Sequence, residues 1–186
     1  MSERLREALH RIDAEAYAAV ASTHTPALDG PLAAVSRAAD LSKLWLAGAG
    51  LLTLAGGPRG REAAVSGLAA IAVTSTIVNL GLKPLGRRAR PDRVAHEVHD
   101  ARHVPMPAST SFPSGHAASA FAFATGVAHV LPAAGRVARG AAALVAYSRI
   151  HTGVHYPGDV LAGSLTGVVL GKATAVALER SGRIAR

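Results

Sequence analysis

Apolar residues recur at Leu5, Leu9, Ile12, Ala16 and Val20, with Arg4, Glu7, Arg11 and Glu15 between them. That helical period predicts an amphipathic N-terminal helix, suited either to docking on its own protein or to lying in a membrane interface. His24 to Pro31, with two prolines and a glycine, predicts a break. Beyond it the pattern changes from one-sided to apolar all round. A helix from about Leu32 becomes uniformly apolar over Leu44 to Gly57, with Lys43 and Trp45 placed to anchor an interfacial end. Gly57 to Arg61 predicts a short turn, and Ala63 to Leu82 is then an uncharged run of twenty residues, the length that crosses a hydrocarbon core.

The character reverses between Lys83 and Arg102, where Lys83, Arg87, Arg88, Arg90, Arg93 and Arg102 crowd together. Pro105, Pro107 and Pro113 then argue against a helix before Ser114. Three more apolar segments follow, Ala117 to Leu131, Val137 to Ser148 and Val160 to Leu178; Arg139 stands near the start of the second, where it can snorkel, and Lys172 lies within the third. No strand period or internal repeat competes with this reading. The expectation is an all-α integral-membrane helical bundle of about five to six spans, a single domain over residues 1–186. Residues 1–30 form the amphipathic helix and turn, and residues 83–159 carry the chemistry. Two spans separate the Lys83 to Ser114 loop from the Arg149 to Asp159 loop, so both should emerge on one side.

Composition agrees. Hydrophobic residues make up 49% of the 186 and charged ones 17%, against roughly 25% charged in a soluble domain. The apolar share is mostly alanine, glycine, leucine and valine, with 4% aromatics, a palette that lets helices approach closely in lipid. The net charge of +8 suits an anionic surface or substrate, and the long apolar runs exclude a nucleic-acid binder. With no cysteine there is no disulfide, thiolate metal site or cysteine nucleophile. With charges scattered from Glu3 to Glu15 and no uninterrupted apolar stretch after a basic start, no cleavable signal peptide is expected here. Arginines at both ends of the spans leave orientation unread.

Three clusters carry the candidate chemistry: Lys83 with Arg90-Pro91; Pro113-Ser114-Gly115-His116; and Ser148-Arg149, His155 and Asp159. Lys83, Arg90 and Arg149 supply fixed positive charge, and arginine grips phosphate oxygens in a planar, bidentate manner. Ser114 and Gly115 fall where a helix should begin, offering backbone N–H groups and the positive end of the dipole to the same anion. His155 could attack phosphorus, Asp159 could hold its other ring nitrogen, and His116 could protonate the leaving oxygen and then activate water.

These three clusters, in this order and spacing, resemble the three motifs of the type 2 phosphatidic acid phosphatase (PAP2) family. The resemblance implies a helical bundle and a metal-independent phosphoric monoester hydrolase that needs no cofactor and passes through a phosphohistidine. It assigns His155, His116 and Asp159 to catalysis and Lys83, Arg90, Ser114, Gly115 and Arg149 to phosphate binding. Membrane members of the family usually have six spans, whereas this chain shows five and an amphipathic helix. The implied substrate is a lipid phosphate among membrane lipids, with a bacterial plasma membrane as the setting; a homo-oligomer is compatible with it. Polyprenyl-linked phosphates such as decaprenyl phosphoribose phosphate are favoured, with phosphatidic acid and phosphatidylglycerol phosphate as alternatives. A headgroup-binding membrane protein without turnover is the contrasting class. His96, His99 and His103 would share a helical face if that loop were helical, although a polar lid or solvated loop fits them better than a metal site. His151 is expected to support the third cluster at most, and His10, His24 and His129 have no evident partners.

Overall fold

The computed structural model describes residues 3–185, and every regular element among them is helical. In chain order these are α1 (Glu3–Ser22), α2 (Pro26–Ala38), a 3₁₀ turn (Asp40–Ser42), α3 (Lys43–Ala55), α4 (Gly57–Thr76), a π turn (Ile77–Leu82), the single turn α5 (Lys83–Gly86), α6 (Gly115–Val130), α7 (Pro132–His151) and α8 (Pro157–Arg180). A 3₁₀ turn at Asp100–Arg102 interrupts the long connection before α6.

Several boundaries differ from the sequence expectation. Residues 24–31 do not simply break the chain. Pro26 occupies the first turn of α2, where a missing N–H costs nothing, and Pro31 is accommodated one turn later. Gly57 to Arg61 is not a turn: Gly56 closes α3 with a bond to Leu52 O, and Gly57-Pro58 already starts α4. α4, the π turn and α5 run on as one rod over Gly57–Gly86. This rod and α8 are the two helices among the described residues long and apolar enough to cross a membrane; α3 has 13 residues and α6 has 16.

α6 is the central helix, packed on α4, α7 and α8, while α3 lies on α4, and α2 on α7. Small residues set these distances. Ala117, Ala118, Ala120, Ala122 and Ala124 of α6 are all buried. On α8, Gly163, Gly167 and Gly171 recur every four residues, and a Cβ at any of them would meet the carbonyl oxygen of Ser114, Ala118 or Ala122 respectively. This is the small-xxx-small packing that lets backbones touch. Ser66 of α4 reaches across to donate to Gly126 O at 2.8 Å. Trp45, Phe123, Val127 and Val145 fill the wider middle of the core.

Gly167→Ala should therefore lower the thermal unfolding midpoint of the detergent-solubilised protein by several degrees, a cost of about 1–3 kcal/mol for forcing α8 off α6. Gly140→Ala on α7, where a Cβ meets nothing within 4 Å, should leave the midpoint unchanged or raise it.

Candidate active site

The end of the bundle that carries the starts of α6 and α8 gathers both charged loops. His155 lies in the short connection after α7 and is almost wholly buried. Its Nδ1 is 3.3 Å from Ser111 Oγ and 3.6 Å from Asp159 Oδ2, while Ser111 Oγ donates to the same Asp159 oxygen at 2.5 Å. Since the serine proton is committed to the carboxylate, the ring is the donor toward Ser111 Oγ. The Nε2 lone pair is thereby left free to accept, and Arg90 Nη1 donates to it at 3.1 Å. Burial, the leading cause, outweighs the bond toward Asp159 and, with the Arg90 and Arg149 charges, depresses the His155 pKa to about 4. The ring is neutral at physiological pH.

Asp159 joins the elements together. It sits in the first turn of α8, fully buried; its carboxylate accepts from Tyr156 N at 3.0 Å and pairs with Arg88 at 2.9 Å, and its carbonyl accepts from Ser114 N at 2.9 Å. The start of α6 is thereby fixed to the start of α8. Ser114 caps α6 by accepting from Ala117 N, and Lys83 Nζ would lie 3.7 Å from a Cβ at Gly115. Lys83 and Arg90 both donate to Ser109 Oγ, and Arg90 also bonds Val154 O at 2.8 Å. Lys83, Arg90 and Arg149 stand within Coulombic reach of one another. The structure therefore brings all eight sequence-predicted residues to one end of the bundle.

Arg149, at the end of α7, is 1% exposed; one terminal nitrogen donates to Ser36 at 2.6 Å, yet its Nε is buried without a partner. An unpaired guanidinium N–H in such a place is costly unless an anion completes it. His116, in the first turn of α6, donates through Nε2 to Asp40 Oδ1 at 2.8 Å, and that same oxygen lies 3.9 Å from Arg149. Asp40 belongs to the elbow between α2 and α3, where Leu41 and Ser42 adopt positive φ (54° and 59°).

Asp40, Ser36, Ser111 and Arg88 escaped the sequence reading. Arg88 was visible only as one of a basic run. It pairs with Asp13 at 2.6 Å as well as Asp159, and lies 4.0 Å over the Tyr156 ring, which docks the C-terminal half of α1 onto α8. His10 also contacts Arg88, at 3.2 Å. His151 belongs to a separate buried clasp with Asp29 and Arg102, whose guanidinium also bonds Val20 O, Ala21 O and Thr23 O at the end of α1. His96, His99 and His103 do not share a helical face: His96 packs edge-on to Tyr17, His99 accepts from Ala101 N, and His103 bonds Val98 O. His129 pairs with Glu179 at the opposite end.

Comparison with known proteins gives a consistent picture. A family model described as the PAP2 superfamily matches residues 63–183. A decaprenylphosphoryl-5-phosphoribose phosphatase of Mycobacterium tuberculosis is 39% identical over 132 residues, which cover 68% of this chain and 67% of that protein. Aquifex aeolicus LpxE superposes with a TM-score of 0.69 at 26% identity, covering 88% of this chain and 94% of that one. The first transmembrane PAP2 type phosphatidylglycerolphosphate phosphatase from Bacillus subtilis superposes at 0.68 and 24% identity, covering 96% and 90%, a likeness of fold.

A histidine buried neutral is protonated more readily when unfolded, so its contribution to stability is complete above the ordinary value near 6.5 and lost as pH falls toward 4. The unfolding midpoint should fall over that window, and His155→Asn should flatten the slope. Identical slopes in the two proteins would contradict the assigned protonation state.

Proposed function

The chain belongs to the PAP2 superfamily and is a phosphatase, and we propose that it removes the terminal phosphate of a membrane lipid through a phosphohistidine on His155. The observation that carries this reading is the unprotonated Nε2 of a buried, neutral imidazole, which accepts from Arg90, together with the buried and unpartnered Nε of Arg149. In the first step the His155 Nε2 lone pair forms the N–P bond as the P–O bond to the lipid breaks, and the departing oxygen takes a proton from His116, which enters the step as the imidazolium and leaves it as the neutral ring. Asp159, through Ser111, holds the Nδ1 proton and balances the charge that grows on the ring. In the second step His116 takes a proton from water, whose oxygen attacks phosphorus; the N–P bond breaks and inorganic phosphate leaves. Lys83, Arg90, Arg149 and the N–H groups of Gly115 and His116 at the start of α6 neutralise the equatorial oxygens, which is the work a metal performs in other phosphatases. The Asp40 carboxylate, held by His116 and close to Arg149, supports the view that this spot accepts an oxyanion, and substrate would replace it there.

We place the bundle in a bacterial plasma membrane as one domain over residues 1–186, with α3, the Gly57–Gly86 rod, α6, α7 and α8 as five crossing segments and α1 at the interface. Support comes from an inverted distribution of side-chain size. Alanine and glycine line the inter-helix contacts, while Leu51, Leu54, Leu80, Leu165 and Val169 point outward and are exposed, the reverse of a water-soluble core. Leu5, Leu9 and Ile12 of α1 are likewise half exposed. The preferred substrate is a polyprenyl phosphoryl sugar phosphate of the decaprenylphosphoryl-5-phosphoribose type, supported by the Mycobacterium tuberculosis relative.

The purified protein should release inorganic phosphate from such a lipid in the presence of EDTA, and vanadate should inhibit it as a mimic of five-coordinate phosphorus. His155→Ala should lower turnover by about a thousandfold or more, and acid-labile phosphate should be trapped on the wild type but not on the variant. Turnover abolished by the chelator, or retained by His155→Ala, would overturn the mechanism.

A further inference from the structure

A cavity shares Lys83, Gly115 and His116 with the proposed phosphate site. It has a volume of about 190 Å³, and its remaining lining includes Ser42 from the α2–α3 elbow, Ser75 of α4, Asn79 of the π turn and Ser119 of α6. No carboxylate lines it, and its only fixed charge is Lys83, which donates to Ser109 Oγ. At about 30 Å³ per water, the space equals roughly six waters, enough for a five-membered ring with its hydroxyls.

The polar groups in this cavity are underused. Ser75 and Ser119 bond only to each other, at 3.1 Å, which leaves each hydroxyl with spare capacity. Elsewhere on the same rod, Ser66 and Thr76 satisfy themselves on backbone carbonyls. The Asn79 side chain, in contrast, makes no hydrogen bond among the described residues. A carboxamide on an otherwise apolar segment is costly in lipid without a partner, and the wide turn over Ile77–Leu82 carries it into the cavity wall. One amide can donate to one hydroxyl and accept from its neighbour, the pattern a vicinal diol requires. Leu41, 84% exposed, also lines the cavity and gives it an apolar edge.

We propose that this cavity binds the diol-bearing ring attached to the scissile phosphate, a pentose, and so selects sugar-phosphate lipids over diacylglycerol phosphates. The proposal rests on the reading of the neighbouring site as the phosphate site. It is tested by thermal stabilisation of the full-length chain, in the His155→Ala background so that no ligand is consumed. The probes are ribose 5-phosphate, 2-deoxyribose 5-phosphate, glycerol 3-phosphate and inorganic phosphate. Ribose 5-phosphate should bind about tenfold more tightly than its 2-deoxy analogue, the worth of one well-made hydrogen bond. Adding Asn79→Leu, or Ser75→Ala with Ser119→Ala, should shrink that ratio to about twofold or less. Equal affinity for the two sugars, or a ratio that survives both sets of substitutions, would overturn the proposal. Wild-type turnover of a lipid phosphate without any sugar preference in binding removes this inference alone. A sugar preference without turnover of any lipid phosphate removes the phosphatase mechanism and leaves the cavity assignment standing.

Discussion

The buried carboxylate of Asp159 is the constraint on which the catalytic end depends. A charge with no water around it has to be surrounded by donors, and here Arg88 and Ser111 come from the two ends of the long connection and Tyr156 N from its own cap, with the His155 ring 3.6 Å away one turn before it. Satisfying one anion therefore draws two loops, distant in sequence, to the same end of the bundle. The same arrangement sets the tautomer of His155. Orientation of the His155 ring and closure of the fold are one set of bonds.

The rest of the bundle makes this economy feasible. Because α8 lies against α6 with glycine in every contact turn, the first turns of the two helices approach closely enough for Asp159 O to accept from Ser114 N. Bulky side chains between them would separate the cap of α6 from the cap of α8, and the anion-facing N–H groups would part from the imidazole. A core of small residues is usually a weak source of burial energy, and here the larger leucines and valines are exposed on the outside of the helices.

Much of the site was legible in the sequence, because its residues cluster in three short runs whose chemistry is local: an anion-binding helix start, paired cations, and a histidine with a carboxylate four residues later. What could not be read were partners supplied from far away. Asp40 meets His116 across 76 residues and Ser36 meets Arg149 across 113, and neither has a local pattern to mark it. The elbow that places Asp40 depends on positive φ at Leu41 and Ser42, residues that do not advertise it. The boundaries at Pro26 and Gly57 differ from the sequence expectation for another reason: proline breaks a helix from inside but starts one from its first turn.

The π turn at Ile77–Leu82 has one more effect. An ordinary helix advances about 100° per residue, so one residue's worth of extra chain in a widened turn shifts the phase of everything beyond it by about that much. In this rod the packing face is set before the turn, by Ala63, Gly67, Ala70 and Thr74, and the catalytic face after it, by Lys83. A helical wheel drawn straight through residues 57–86 would send Lys83 toward the wrong neighbour. The turn works as a gear between two angular registers, so the face that packs on α6 and the azimuth that delivers the lysine can drift independently as sequences diverge.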